Sequence, residues 1–394
     1  MFYPAEVLRW IALVSMHLSH LPKAQVQALA LYSFAITVVQ RSGISSVSFF
    51  LAQLLDEREN SVRQRLRELL YDAEDKSGQH RRDLDVVSCH APLLRWVLAW
   101  VSADTPLTLA LDATTLRQSF TVLSVSVVFH GLSVPIAWTV MPATRPAAWR
   151  PHWLNLLACL AGQVPASLAV YVLTDRGLYA KWLFERIVVC GWHPLMRINT
   201  QGSAVDIASR RRFALASLPR QGQWWRAEVV CFQDERRLRA TLLVLWDVDQ
   251  KEAWLLLTDL PAAQVSPTWY ALRMWIEAGF KALKSAGFHW QATRMTDPAR
   301  AERLWLVLAL ATLRCATLPA LPAPQPRWSC PLPIKLSRHP RRPRYPRLSA
   351  LRRGLFTQLA CLIRLRPLPA PCLVAPVLPP SPLLDFAQAL KTYP

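Results

Sequence analysis

The chain has 394 residues, 52% of them hydrophobic, with 17 Trp and a formal net charge of +20. This composition excludes a disordered protein and provides for two to three domains around substantial cores. The cationic surplus points to a polyanionic partner, because clustered Lys and Arg neutralise phosphates well.

Residues 1–40 read as amphipathic helix broken at Pro4 and Pro22. Gly43–Leu55, a charged turn and Ser61–Tyr71 then suggest two helices, with Ser61 as the N-cap of the second. Val62, Leu66, Leu69 and Leu70 make its apolar stripe and Arg63, Arg65 and Arg67 sit off it, the parts of a helix-turn-helix that contacts DNA. Asp72–Asp85 is a charged linker, and His90–Ser102 a further apolar helix.

From Leu107 the period changes to that of strands. Leu107–Asp112 reads as a short buried strand ending in a carboxylate, followed by a hairpin, Phe120–Phe129 and Leu132–Val140, turned at Gly131. A helix over His152–Leu160 and a strand over Leu168–Thr174 follow, the strand ending at Asp175. Next come a helix over Tyr179–Cys190 and a strand over Pro194–Asn199. Gln201–Gly222 is basic and polar. Trp224–Phe232, Arg239–Trp246 and Ala253–Thr258 then form an antiparallel meander separated by turn residues that include Asp247 and Asp249. Ser266 or Thr268 opens the next helix, with Asp259 as its entry cap, and Pro298–Leu313 is a final core helix.

From Pro319 onward lie 17 of the 31 prolines and no acid before Asp385, so a regular core is precluded apart from a helix over Leu348–Leu365. Such a basic tail suits sequence-independent phosphate contacts. The eight Cys lack metal spacing and read as reduced core thiols. Glu6 and Arg9 interrupt any signal-peptide core, and no apolar run reaches the roughly 18–20 residues of a membrane span. The expectation is a soluble cytoplasmic protein with no membrane partner.

The helix over Tyr270–Lys284 carries the chemistry. At about 100° per residue, Tyr270, Arg273, Glu277 and Lys284 share one sector, beside an apolar stripe of Leu272, Ile276, Gly279, Phe280 and Leu283. Asp112 and Asp175, at neighbouring strand ends, and Glu277 on a helix beside them make a hard oxygen-ligand set. It suits two Mg²⁺ or Mn²⁺ ions performing in-line displacement at a phosphodiester, with Arg273 and Lys284 directed at the nucleic acid.

This pattern resembles the ribonuclease H-like catalytic domain of DDE transposases. The spacing Tyr270-x₂-Arg273-x₃-Glu277-x₆-Lys284 is similar to the signature of the bacterial insertion-sequence group with a β-strand domain between the second Asp and the Glu. Leu111-Asp-Ala-Thr-Thr115, Thr174-Asp-Arg-Gly177, Trp254–Thr258, Leu283–Phe288 and Asp297–Arg300 also resemble that group's blocks, so the likeness spans about 107–313. The fold it implies is α/β: a ribonuclease H-like mixed sheet flanked by helices, with an inserted antiparallel β subdomain, an all-α N-terminal domain and a Pro/Arg-rich C-terminal tail. The expected division is 1–103 helical and DNA-binding, 104–318 catalytic with the insertion at about 201–262, and 319–394 basic and proline-rich.

The resemblance implies that Asp112, Asp175 and Glu277 hold the two ions, and that Tyr270, Arg273 and Lys284 grip the transposon end. It further implies a Trp of the insertion, Trp224 or Trp225, stacked on a flipped base. The implied partners are double-stranded DNA, as terminal inverted repeats and as target, and a second copy of the chain in a homodimer on DNA. The implied setting is the bacterial nucleoid. The alternatives are an inactive or domesticated DNA-binding relic of such a transposase, and another ribonuclease H-like nuclease.

Overall fold

Pro4 and Pro22 stand as N-caps of α1 (Ala5–His17) and α2 (Lys23–Val39), where the missing amide costs nothing. In this computed structural model residues 4–77, 81–101, 105–116, 119–129, 131–143, 149–218, 221–247, 250–318, 348–373 and 378 are described. The basic stretch 319–347, the chain from 379 onward and Asp249 lie outside the described residues.

α3 (Ile44–Leu55) and α4 (Glu59–Leu70) form the expected helical pair, and α4 buries Val62, Leu66, Leu69 and Leu70. Ser61 does not cap α4. The helix starts two residues earlier, after extended Arg58, whose carbonyl accepts the Ser61 and Val62 amides. Glu59 in that first turn suits the positive end of the helix dipole. α5 (Val87–Leu98) leads to the sheet.

The first three strands, β1 (Leu107–Leu116), β2 (Phe120–Phe129) and β3 (Leu132–Pro142), are antiparallel. After α6 (Trp149–Leu160), β4 (Val170–Thr174) pairs parallel to β1. After α7 (Lys181–Val189), β5 (His193–Ile198) pairs parallel to β4. This is the mixed sheet expected of a ribonuclease H-like core, and β2 is buried along its whole length, so both faces are covered.

The expected meander is present as β8 (Gln223–Cys231), β9 (Leu238–Trp246) and β10 (Trp254–Thr258). It does not form a sheet of its own. β10 pairs with β5, so the insertion, with β6 (Ser203–Asp206) and β7 (Arg212–Ala214), extends the central sheet to ten strands in the order β3-β2-β1-β4-β5-β10-β9-β8-β6-β7. β6 and β7 close its far edge, within a stretch whose polarity concealed them from sequence reading.

α8 (Met274–Leu283) packs on β1, β2 and β3, and α9 (Pro298–Ala316) on β3. α9 is also enclosed by α2, α4 and α10 (Ala350–Ile363), so one continuous apolar core joins the N-terminal helices to the sheet. Arg303 of α9 is buried and donates to the Leu70 carbonyl (2.8 Å) and to Asp72 (2.6 Å), with Asp83 at 3.5 Å. Arg300 pairs with Asp75 (2.8 Å) and lies over the Tyr71 ring. Among the described residues no single helix is long and apolar enough to cross a membrane.

His90 on α5 is fully buried, with Nε2 facing the Trp138 amide at 3.4 Å. Burial pushes its pKa down to about 4. In the unfolded chain the same group takes up a proton near pH 6.5, so the unfolded state binds more protons between those values. The contribution is complete above pH 6.5 and is lost as pH falls toward 4, by up to about 3 kcal/mol. Urea midpoints at pH 7 and pH 4.5 should fall apart in the wild type and converge in His90→Gln; an equal pH slope in both removes His90 as the cause.

Candidate active site

β1 and β4 run side by side, and their pairing ends at Leu111 opposite Thr174. Asp112 and Asp175 occupy the next position on each strand, which makes them neighbours. Asp175 lies past the end of β4 and caps a short 3-10 turn, Arg176–Leu178, by accepting from the Arg176 amide. Asp112 does not end its strand. β1 continues for four residues beyond it because the hairpin with β2 holds Asp112 opposite Ser124 and runs on to Leu116 opposite Phe120.

The expected single helix over Tyr270–Lys284 is two segments. Ser266 caps a 3-10 helix, Pro267–Arg273, and α8 begins only at Met274. Pro267 at the first position, then a β-branched residue and two aromatics, are poor α-formers, and the tighter helix results. Asp259 does not cap it; that carboxylate pairs with His193 Nδ1 at 2.9 Å.

This segment places Arg273 between the three carboxylates. Its Nη2 is 2.9 Å from Asp112 Oδ2 and 3.2 Å from Asp175 Oδ2, and its Nη1 is 3.7 Å from Glu277 Oε1. One guanidinium thus meets all three acids that were read as metal ligands. The Arg273 and Asp112 side chains are 12% and 15% exposed, whereas Glu277 is 61% exposed and stands at the open side. Burial pushes the Asp112 carboxyl above its ordinary pKa, and the Arg273 charge and the Ala113 amide oppose that rise.

Lys284 at the end of α8 donates to Thr114 Oγ1 and to the Thr115 carbonyl, both at 2.6 Å, so it is fastened to the extension of β1 just beyond Asp112. Burial lowers its pKa. Tyr270 is not on the same open edge. It is 4% exposed, packs edge-on against Trp254 at 5.1 Å, and burial raises its pKa. For its ring to touch DNA it would have to leave Trp254.

Trp224 and Trp225 are half-buried at successive positions of β8 and point to opposite faces. Arg226 covers the Trp224 ring, and Trp225 meets Phe213 edge-on. On α4, Arg63 and Arg65 pair with Glu59 and Glu57, while Arg67 is exposed. Two further residues beside the site, Glu252 and Arg197, carry no signal in the sequence. Glu252, in the turn before β10, accepts from Arg176 and from Arg197 (2.8 Å each), and Arg197 is also close to Tyr270. No local signal marks such a pairing across 76 residues.

Three carboxylates without His or Cys fit a hard divalent cation. As they stand, no group of three His, Cys, Asp or Glu among the described residues is close enough to hold an ion unaided, and a guanidinium supplies the positive charge instead.

Residues 105–314, just over half of the chain, match the family described as the transposase DDE domain. No curated protein matches the chain. The matched span runs from the residues before β1 to the end of α9 and contains all three carboxylates, Arg273 and Lys284. The chain belongs to the transposase DDE domain family.

Proposed function

We propose that this transposase cleaves DNA strands at the ends of its element and transfers them into target DNA, using two divalent ions held by Asp112, Asp175 and Glu277. The observation that carries the reading is the convergence of these acids, from β1, β4 and α8, on one guanidinium. Bound there, Mg²⁺ or Mn²⁺ supplies the charge that activates an attacking oxygen and steadies the departing one in an in-line displacement.

The chain's own residues do the rest. The parallel pairing of β1 and β4 sets Asp112 within its strand beside Asp175, the first residue after β4. Arg273, whose planar fork suits a phosphate as well as a carboxylate, would turn its guanidinium from the acids to a phosphate oxygen of the DNA. Lys284, already tethered beside Asp112, holds the neighbouring backbone, and Tyr270 joins the grip on the DNA end once its ring leaves Trp254. Arg63, Arg65 and Arg67 contact DNA from α4, Trp224 or Trp225 stacks on a flipped base, and two copies act together on paired ends.

The test is cleavage of a duplex carrying the inverted repeats that flank the gene. Nicking should require Mg²⁺ or Mn²⁺ and stop with EDTA, and the freed 3′ end should then join a target duplex. Cleavage of equal rate in EDTA would overturn the two-ion reading.

A further inference from the structure

Asp112 and Asp175 are held in different ways. Asp112 is inside β1 and paired across to β2, whereas Asp175 is the first residue after β4. Strand pairing therefore stops short of Asp175. Its carboxylate is oriented by the next residue: the Arg176 amide donates to Oδ1 at 2.6 Å, while Oδ2 faces Arg273 at 3.2 Å. The Arg176 peptide sets the direction of the acid, so whatever holds Arg176 also holds Asp175.

The register of the sheet supplies the holder. Thr174 is opposite Met196 in the parallel pairing of β4 with β5, and Ile198 at the end of β5 is opposite Leu255 of antiparallel β10. The turn leading into β10 thus lies at the sheet edge where β4 ends, and it carries Glu252. One oxygen of that carboxylate accepts from Arg176 Nη1 and the other from Arg197 Nη2, both at 2.8 Å.

The two guanidiniums differ in how firmly they stand. Arg197 belongs to β5, its side chain is 13% exposed, and its Nη2 also reaches the Ala253 carbonyl at 3.4 Å. Arg176 is 52% exposed and follows the strand end. Arg197 is therefore the fixed point, and Glu252 links it to the turn that bears Asp175. Charge-assisted bonds to both oxygens fix the direction of that link. A pair as exposed as Arg176 and Glu252 contributes little to folding, so its effect is on geometry.

We propose that Glu252 is a positioning residue for strand cleavage, which acts through Arg176 to fix the carboxylate of Asp175. The inference rests on the reading of Asp112, Asp175 and Glu277 as ligands of two divalent ions. A ligand free to swing from its place slows the reaction without unfolding the protein.

The test uses the full chain, a duplex carrying the flanking inverted repeats, and the variants Glu252→Gln, Arg176→Gln and the two combined. Single-turnover cleavage at saturating duplex with Mg²⁺, duplex Kd in EDTA and the urea unfolding midpoint are measured on each. Glu252→Gln should cleave about tenfold more slowly or worse. Its Kd and midpoint should match the wild type, a split that loss of folded structure does not produce. The combined variant should be no slower than the slower single variant, because both substitutions break one link. Wild-type cleavage by Glu252→Gln overturns the proposal. So does a combined loss equal to the product of the single losses, or a weaker Kd or lower midpoint that accounts for the slower cleavage. Those results leave the transposase reading intact. Absence of metal-dependent cleavage in the wild type overturns the parent reading, and this inference with it.

Discussion

Glu277→Gln is expected to slow strand cleavage by roughly 10³-fold or more, since losing one ligand charge removes several kcal/mol of transition-state stabilisation. Its unfolding midpoint should not move. Glu277 is mostly exposed and its only charged partner in the site is Arg273, at 3.7 Å. Asp112→Ala should lose activity to the same degree and also destabilise the fold by about 1–3 kcal/mol, because part-buried Arg273 loses its closest acceptor. Single-turnover cleavage and urea unfolding on the same preparations separate the two effects. Near-wild-type cleavage by Glu277→Gln would remove that residue from the ligand set. A fall in stability as large as that of Asp112→Ala would show it to be structural.

The second large effect is expected at a residue with no functional group. Gly279 lies on α8, two positions after Glu277, and a Cβ built there would stand 2.1 Å from Ser133 Oγ and 2.9 Å from the Ser133 carbonyl oxygen on β3. A rotamer change can move the hydroxyl away; the carbonyl belongs to a paired strand and cannot retreat. Gly279→Ala should therefore lower stability by about 1–3 kcal/mol and push α8 off the sheet, carrying Glu277 away from Asp112 and Asp175. Stability and cleavage should fall together. Gly177→Ala is the control for stability, because a Cβ there meets nothing within 4 Å. Wild-type unfolding by Gly279→Ala would mean that α8 does not sit as close to β3 as described.

Much of the fold was legible because turn residues punctuate it. β8, β9 and β10 begin and end within a residue or so of the expected positions, since Gln233-Asp-Glu and the turn at Asp247–Gln250 interrupt clear apolar alternation. The α4 stripe was also readable, as a 3.6-residue period. Errors arose where distant pairing outweighs local pattern. Asp112 looked like a strand end because Ala-Thr-Thr follows it, yet β2 extends the strand past it. Tyr270 looked like part of a presented edge because a uniform 100° step was assumed, and a 3-10 segment with Trp254 beside it put the ring inside.

At the site, the identities of the acids were readable and the place of Arg273 was not. Its i,i+4 relation to Glu277 is local, but its bond to Asp112 spans 161 residues. Asp259 shows the same limit. Its position before the helix suggests a cap, and His193, 66 residues away, holds it instead.

Arg300 and Arg303 fasten Asp72, Asp75 and Asp83 to the helix that lies against β3, while α2, α4 and α10 close around that same helix. α9 is a shared spar between the N-terminal helices and the catalytic sheet. Cutting the chain near residue 103 would bare part of α9's apolar surface and leave Arg303 without Asp72 and Asp83, so both regions should melt in one cooperative transition.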